Sequence, residues 1–158
     1  MNKLLTGITV GCLAMVSLLW LAFRSQRVLE QGLPQRIECA NQADAIKQAG
    51  PNAYPVRGTG SMAPFFPATP AGVDPMTTFV AYVVPSGASY GEIKPGNLCI
   101  YWMALPDGTK LLVIHQAALK DSGGWIMSGL HNKRSESWAR VTKENFVVVI
   151  GRAYVWKQ

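Results

Sequence analysis

The feature that most constrains the fold is an uncharged, apolar run near the N-terminus. Residues 4–23 read LLTGITVGCLAMVSLLWLAF, twenty positions between Lys3 and Arg24. A helix of that length rises about 30 Å, the thickness of a bilayer's hydrocarbon layer. A cleaved signal peptide would have a shorter apolar core and a small-x-small cleavage site, whereas this run ends WLAFR. The run predicts a retained transmembrane anchor over residues 1–24, held in the lipid bilayer through residues 4–23.

Charge and cysteine content exclude several function classes. The 158 residues carry a formal net charge of +6. The basic residues are scattered and form no run, so the charge favours anionic lipid weakly and gives no support for nucleic-acid binding. Cys12, Cys39 and Cys99 form no CxxC motif and no Cys/His cluster, so we expect no structural zinc site. In an oxidising compartment Cys39 and Cys99 are able to pair, and the sequence leaves open whether they do.

The rest of the chain divides into a connector and a β-rich domain. Residues 25–50 predict a helical connector, because residues 38–49 are good helix formers that stop at Gly50-Pro51. Residues 51–158 predict a mainly β domain, sheet-rich or barrel-like.

The β prediction depends on short segments separated by Gly and Pro. The β-branched and aromatic segments are residues 78–84, 98–103, 110–115, 125–127, 146–150 and 152–156. Leu105-Pro106-Asp107-Gly108 has turn chemistry, because Pro fixes φ and Gly accepts a positive φ. The flanking segments should therefore form a hairpin, and Gly151 predicts a bend between the last two strands.

The chemical group that stands out is a serine in a bent segment. Residues 58–64 read GTGSMAP, with Ser61 between glycines and a proline. A serine hydroxyl is a poor nucleophile until a base removes its proton. The surrounding Gly and Pro favour a closely approached loop, which suits a nucleophile, although a Gly-Ser pair is also typical of an ordinary turn.

This string resembles the serine box of the signal peptidase I family, whose pattern is roughly S-G-S-M-x-P-T. The resemblance implies that Ser61 is the nucleophile. It also implies that the Thr59 hydroxyl and the Ser61 N–H bind the oxyanion. Phe65 departs from the family's Thr. The family's Gly-Asp box corresponds to Gly96-Asn97, with Asn for Asp.

The same resemblance points to a histidine base. Residues 111–116 read LLVIHQ, and His115 stands where bacterial members have Lys and the endoplasmic-reticulum type has His. Histidine titrates near neutrality, so it can take the Ser61 proton without the desolvation that a lysine needs. Gln116 replaces the family's Arg. Lys110 and Lys120 are the rival bases.

A last family box, Gly-Asp-Asn-x-x-x-S-x-D-S-R, corresponds to residues 129–138. There Glu136 takes the acidic position, which would orient His115 and stabilise its imidazolium form. Leu130 replaces the family's Asp, and His131 lies in a predicted loop.

Taken over about residues 56–156, the resemblance implies a signal-peptidase-like β-rich catalytic domain behind one transmembrane helix. The implied function is a membrane-anchored serine endopeptidase that cleaves exported or membrane-linked precursor proteins after small residues. Its polypeptide substrate would lie extended beside residues 54–58 and 111–114. The resemblance implies no metal and no organic cofactor.

Two alternatives stay open at this point. One is a catalytically inactive relative that serves as a binding or assembly module, which the departures at Phe65, Asn97, Gln116 and Leu130 favour. The other is a LexA-like self-cleaving peptidase, which shares this type of β domain but carries a DNA-binding helical domain where this chain has its apolar run.

The side of the membrane is also open. The resemblance implies a domain on the extracytoplasmic, periplasmic side. By the positive-inside rule, Arg24, Arg27, Arg36 and Lys47 after the apolar run place the domain in the cytoplasm instead. Neither the natural substrate nor the oligomeric state follows from the sequence.

Overall fold

The computed structural model describes residues 15, 17, 30–58, 60–131 and 136–157, with residues 136–138 described by their backbone alone. In chain order its elements are β1 (Gln35–Cys39), α1 (Gln42–Ala49), β2 (Tyr54–Arg57), β3 (Phe79–Pro85), β4 (Leu98–Ala104), β5 (Lys110–Asp121), β6 (Gly124–Ser128), β7 (Glu136–Val141) and β8 (Phe146–Trp156). Single 3-10 turns lie at Gly60–Met62 and Tyr90–Glu92. The prediction of a mainly β domain is confirmed.

The apolar N-terminal run falls almost entirely outside the described residues, which include only Met15 and Ser17 of it. None of the helices in the described part of the chain is long and apolar enough to cross a bilayer. The transmembrane anchor over residues 4–23 therefore stays a prediction.

One strand organises the sheet. Within the described residues, eight strands form one sheet in the order β2-β3-β8-β4-β5-β6-β7, with β1 also paired to β8. β1 runs parallel to β8, and the other pairings are antiparallel. The first half of β8 pairs with β4 up to Val149, and the second half pairs with β3 from Ile150 onward. A long shared strand thus joins the two ends of the sheet.

The predicted break at Gly151 is a change of partner within a continuous strand. The sequence predicts two strands there, whereas β8 continues from Phe146 to Trp156. A Cβ on Gly151 would lie 2.8 Å from the Cα of Ser86, so glycine permits the close approach of the neighbouring chain at this crossing.

The helical connector is shorter than predicted. Residues 35–39 form strand β1 instead of helix, because their backbone pairs in parallel with the end of β8. The helix begins only at Gln42, where the Asn41 side chain accepts a hydrogen bond from the Asp44 N–H at 3.0 Å. Such a side-chain cap satisfies one of the unpaired donors at a helix start. The predicted end at Gly50 is confirmed, and this glycine has φ of 78°.

The predicted hairpin is present and organises the core. Its turn closes with a hydrogen bond from the Gly108 N–H to the Leu105 carbonyl at 2.9 Å. Alternate residues of β4 then enter two core clusters on its two faces. The first core cluster includes Leu98, Ile100, Met62, Phe66 and Val80. The second core cluster includes Cys99, Tyr101, Ala117, Met127 and Val141.

Candidate active site

Ser61 lies on a short turn that packs on the first core cluster. The 3-10 turn Gly60–Met62 follows β2 after two residues. The next side chain, Met62, is completely buried in the first core cluster. Its carbonyl accepts a hydrogen bond from the Phe66 N–H at 3.2 Å. Ser61 itself is partly exposed, so the turn places this residue at the protein surface, next to the buried Met62.

The residues that follow β6 also contact this turn. The N–H of His131 donates to the Ser61 carbonyl at 3.0 Å. A Cβ on Gly129 would lie 2.7 Å from the Ser61 carbonyl oxygen and 3.2 Å from its Cβ. A real Cβ is essentially never found as close as the first of these distances, so the contact requires glycine at position 129.

His115 lies near the middle of β5 and is buried, with 7% of its surface exposed. Its Cα partner on β4 is Cys99. Its Nδ1 lies 2.9 Å from the hydroxyl oxygen of Tyr101, which is completely buried. The imidazole is therefore held in place by a neighbouring strand of the hairpin.

The strand register brings the Ser61 turn towards His115. Gln116 pairs with Ser128 on β6, and Gly129 is the next residue after that pair. If this antiparallel register is continued by one residue, Gly129 comes opposite His115. Opposite residues have Cβ atoms about 4.5–5.5 Å apart, and the Cβ position of Gly129 adjoins Ser61. The turn that carries Ser61 therefore contacts the residue that follows the Gln116–Ser128 pair, and Gln116 is the neighbour of His115 along β5.

We expect Gly129→Ala to lower kcat/KM for peptide cleavage by about 100-fold, because displacing a reacting group by about 1 Å has that effect. The added methyl would meet the backbone of Ser61, which cannot rotate away as a long side chain can. Peptide cleavage measured by chromatography tests this. Gly91→Ala is the control, because a Cβ there meets only the Ser89 Oγ, at 4.0 Å. Activity within twofold of wild type in Gly129→Ala would contradict this geometry.

Two predicted site residues fall outside what the structure describes. Thr59, the predicted oxyanion donor, is outside the described residues, as is the side chain of Glu136. The backbone of Glu136 begins β7 and pairs with Met127, whose partner on β5 is Ala117, two residues from His115. The roles of Thr59 and Glu136 stay predictions.

The rival bases lie at the two ends of β5. Lys110 is its first residue, is exposed and pairs with Ala104. Lys120 lies near the other end, with its Nζ 5.8 Å from the ring centroid of Tyr90 and 5.9 Å from that of Trp125. Neither lysine adjoins the Gln116–Ser128 pair, so the register favours His115 over both as the partner of Ser61.

Cys99, which lies opposite His115 on β4, also carries a nucleophilic group, but its thiol is unsuited to be the nucleophile. Cys99 is completely buried, and this burial raises the pKa of its thiol to about 12. The thiolate is the reactive form of cysteine, so this group is inert near neutral pH. Cys39 and Cys99 are both free thiols, and they lie in different core clusters.

Among the described residues, no strand pairs with half of one edge of β5, which we call the open edge. Ala117 exchanges both backbone hydrogen bonds with residues 96–97 on the β4 side. Because bonding direction alternates along a strand, the N–H and C=O groups of Ile114 and Leu112 point the other way. β6 covers that side only from Gln116 onward, and among the described residues no other strand pairs there. The open edge begins next to Gln116, whose partner Ser128 precedes the Gly129 that the Ser61 turn contacts.

The structure holds no arrangement suited to a metal in its described part, where no three His, Cys, Asp or Glu residues cluster. A cavity of about 350 Å³ lies along β1 and the end of β8. Its lining residues are Arg36, Glu38, Cys39, Ala40, Pro67, Val155, Trp156 and Lys157. None of the candidate catalytic residues lines this cavity.

The sequence reasoning missed Tyr101 and Gly129. The signal for Tyr101 was present in the hairpin turn, because that turn sets the register that makes Tyr101 a diagonal neighbour of His115. Gly129 is the first residue of the last family box, but its contact with Ser61 had no signal in the sequence, since it comes from a turn far away in the chain.

Comparison with known protein families, with characterised proteins and with solved structures finds no match for this chain. The function must therefore be argued from the residues and their geometry.

Proposed function

We propose that this chain is a membrane-anchored serine endopeptidase of signal-peptidase type, which cleaves exported or membrane-linked precursor proteins after small residues. The observation that carries the proposal is the contact of the Ser61 turn with Gly129. This glycine follows Ser128, the β6 partner of Gln116, which is the residue after His115. The resemblance of residues 58–64 to a family serine box supports the same assignment of Ser61.

In the proposed reaction, the Ser61 Oγ attacks the scissile carbonyl carbon while His115 accepts the hydroxyl proton. The Ser61 N–H and the Thr59 hydroxyl stabilise the oxyanion, and each such donor contributes about 3 kcal/mol in comparable acyl transfers. The tetrahedral intermediate collapses, His115 returns the proton to the leaving amine, and an ester on Ser61 remains. Water, deprotonated by His115, then hydrolyses this ester and restores the serine.

The open edge of β5 supports an extended substrate. The outward backbone groups of Ile114 and Leu112 have no strand partner in the described part of the chain, so a peptide could pair with them as an added strand. β2 lies at the end of the sheet order, so it also has one side without a strand partner in the described chain, and it leads directly to Ser61. A precursor chain in strand conformation between these edges would bring its scissile bond to the serine.

The predicted anchor suits this substrate class. A span over residues 4–23 would hold the domain at the bilayer surface, where precursors emerge, and would raise the effective concentration of the substrate. We place the domain on the extracytoplasmic side. A reporter enzyme that is active only outside the cytoplasm, fused to the C-terminus, tests that placement. If that fusion is inactive while a second fusion, to a reporter that is active only in the cytoplasm, shows activity, the domain lies on the cytoplasmic side.

The departures from the family pattern lie at packing positions, which weighs against an inactive relative. Phe65 is buried and its ring meets Phe66 edge to face, with centroids 5.0 Å apart. Asn97 donates from its side chain to the Gly32 carbonyl at 3.0 Å. Gln116 donates from Nε2 to the Gly96 carbonyl at 3.3 Å, and Leu130 packs against the first core cluster. These four residues support the fold and need not take part in the chemistry.

The test is cleavage of a library of secretory-precursor peptides by the full-length chain in detergent, with products identified by mass spectrometry. We expect cuts after Ala, Gly and Ser that are absent with Ser61→Ala. Cuts after large residues would overturn the substrate class. A folded protein that cuts nothing would overturn the endopeptidase assignment in favour of a binding module.

A further inference from the structure

We infer that Tyr101 is a positioning residue for the general base: its hydroxyl holds Nδ1 of His115 and so assigns proton transfer to Nε2. This inference rests on the proposed function for its effect on catalysis. Its effect on the imidazole itself does not depend on any activity.

The contact is polar and lies in a buried part of the core. The Tyr101 hydroxyl oxygen and His115 Nδ1 are 2.9 Å apart, within ordinary hydrogen-bond length. Tyr101 is completely buried and His115 is 7% exposed. Their ring centroids are 6.0 Å apart with planes inclined at 47°, so the rings are not stacked and the polar atoms make the contact.

The hairpin register creates this contact. Cys99 lies opposite His115, and Tyr101 lies opposite Val113, with no irregularity between these two pairs. Tyr101 and His115 are therefore diagonal neighbours on one face of the hairpin, a separation that an aromatic side chain can span. Tyr101 also packs in the second core cluster, with Met127 among its members. Packing leaves its hydroxyl little freedom to move away.

The chemistry requires one particular tautomer. A neutral imidazole has one N–H donor and one acceptor nitrogen. For Nε2 to accept the Ser61 proton, the imidazole hydrogen must be on Nδ1, where it donates to the Tyr101 oxygen. The same bond persists after protonation, because the imidazolium ion donates from both nitrogens. Tyr101 thus takes the orienting role that the resemblance gives to Glu136. It orients the base in the way that a carboxylate does in serine hydrolases, without bringing a negative charge into the core.

The test compares the full-length chain in detergent with Tyr101→Phe and with Tyr90→Phe. Tyr90 is the matched control, because its hydroxyl donates to the Val141 carbonyl at 3.4 Å and its ring packs against the second core cluster. Long-range ¹H–¹⁵N spectra of the histidines report which ring nitrogen of His115 carries the proton. The best peptide from the library reports kcat and KM.

In wild type and Tyr90→Phe we expect the Nδ1–H tautomer of His115, and in Tyr101→Phe a shift towards Nε2–H. In Tyr101→Phe kcat should fall about 10- to 100-fold with KM unchanged, since general-base catalysis contributes about 10²–10⁴-fold and only orientation is lost. An unchanged tautomer in Tyr101→Phe overturns the inference, as does an equal loss of kcat in both variants. An Nε2–H tautomer in wild type also overturns it, even if Tyr101→Phe fails to fold. If wild type cleaves no peptide, the proposed function fails, and the spectra still decide the tautomer.

Discussion

Ser61→Ala should abolish peptide cleavage, lowering kcat/KM by about 10⁴-fold or more, because no acyl-enzyme can form without the Oγ. The fold should be unaffected. Ser61 is partly exposed, and substitutions of that kind change the free energy of unfolding by about 0.5 kcal/mol or less. Chromatographic cleavage assays and thermal unfolding measure the two quantities.

The matched control is Ser122→Ala, an exposed serine in the turn at the far end of the β5–β6 pair. It should cleave at the wild-type rate. If Ser61→Ala retained a tenth or more of wild-type activity with the same cleavage sites, Ser61 would not be the nucleophile, and the proposed mechanism would be wrong.

His115→Ala should lower kcat by about 10³-fold, within the range of about 10²–10⁴ that general-base catalysis contributes. The double variant Ser61→Ala/His115→Ala should have a kcat no lower than that of the less active single variant, because the effects of residues that act as a unit are not additive. Steady-state kinetics of the two single variants and the double variant measure this.

His131→Ala is the control for the loss of a histidine. His131 contacts Ser61 through its backbone N–H, which alanine keeps, and its side chain has no role in the proposed mechanism. If His115→Ala stayed active while Ser61→Ala was inactive, the base would be misassigned. Lys110→Ala and Lys120→Ala would then identify it.

Turn chemistry was the most reliable guide from sequence to fold. The Pro-Asp-Gly segment predicted the β4–β5 hairpin, and that hairpin supplies the proposed base and the residue that contacts it. Strand β1 was mistaken for helix, because residues 35–39 become a strand only by pairing with β8 at the opposite end of the chain. Strand β7 was not predicted, since its first residues, 136–138, were interpreted through their resemblance to a family motif. Pairing partners distant in sequence leave no local signal.

In the candidate site, too, some features were predictable from the sequence and others were not. Ser61 and His115 were predicted because their sequence neighbours resemble the boxes of a known peptidase family. The contacts that relate them depend on the assembled sheet: Gly129 against the Ser61 backbone and Tyr101 against the His115 ring. Such contacts follow from register, and register becomes predictable only once each strand's partner is known.

The most direct test of the Ser61–His115 pair is to trap the acyl-enzyme. The full-length chain is mixed with an activated peptide ester that has alanine before the ester bond, quenched in acid, digested and analysed by mass spectrometry. We predict that the acyl group is found on Ser61, is absent in Ser61→Ala, and forms at least about 100-fold more slowly in His115→Ala. An acyl group on another residue, an equal rate in His115→Ala, or no acylation of the folded chain would contradict a serine–histidine peptidase.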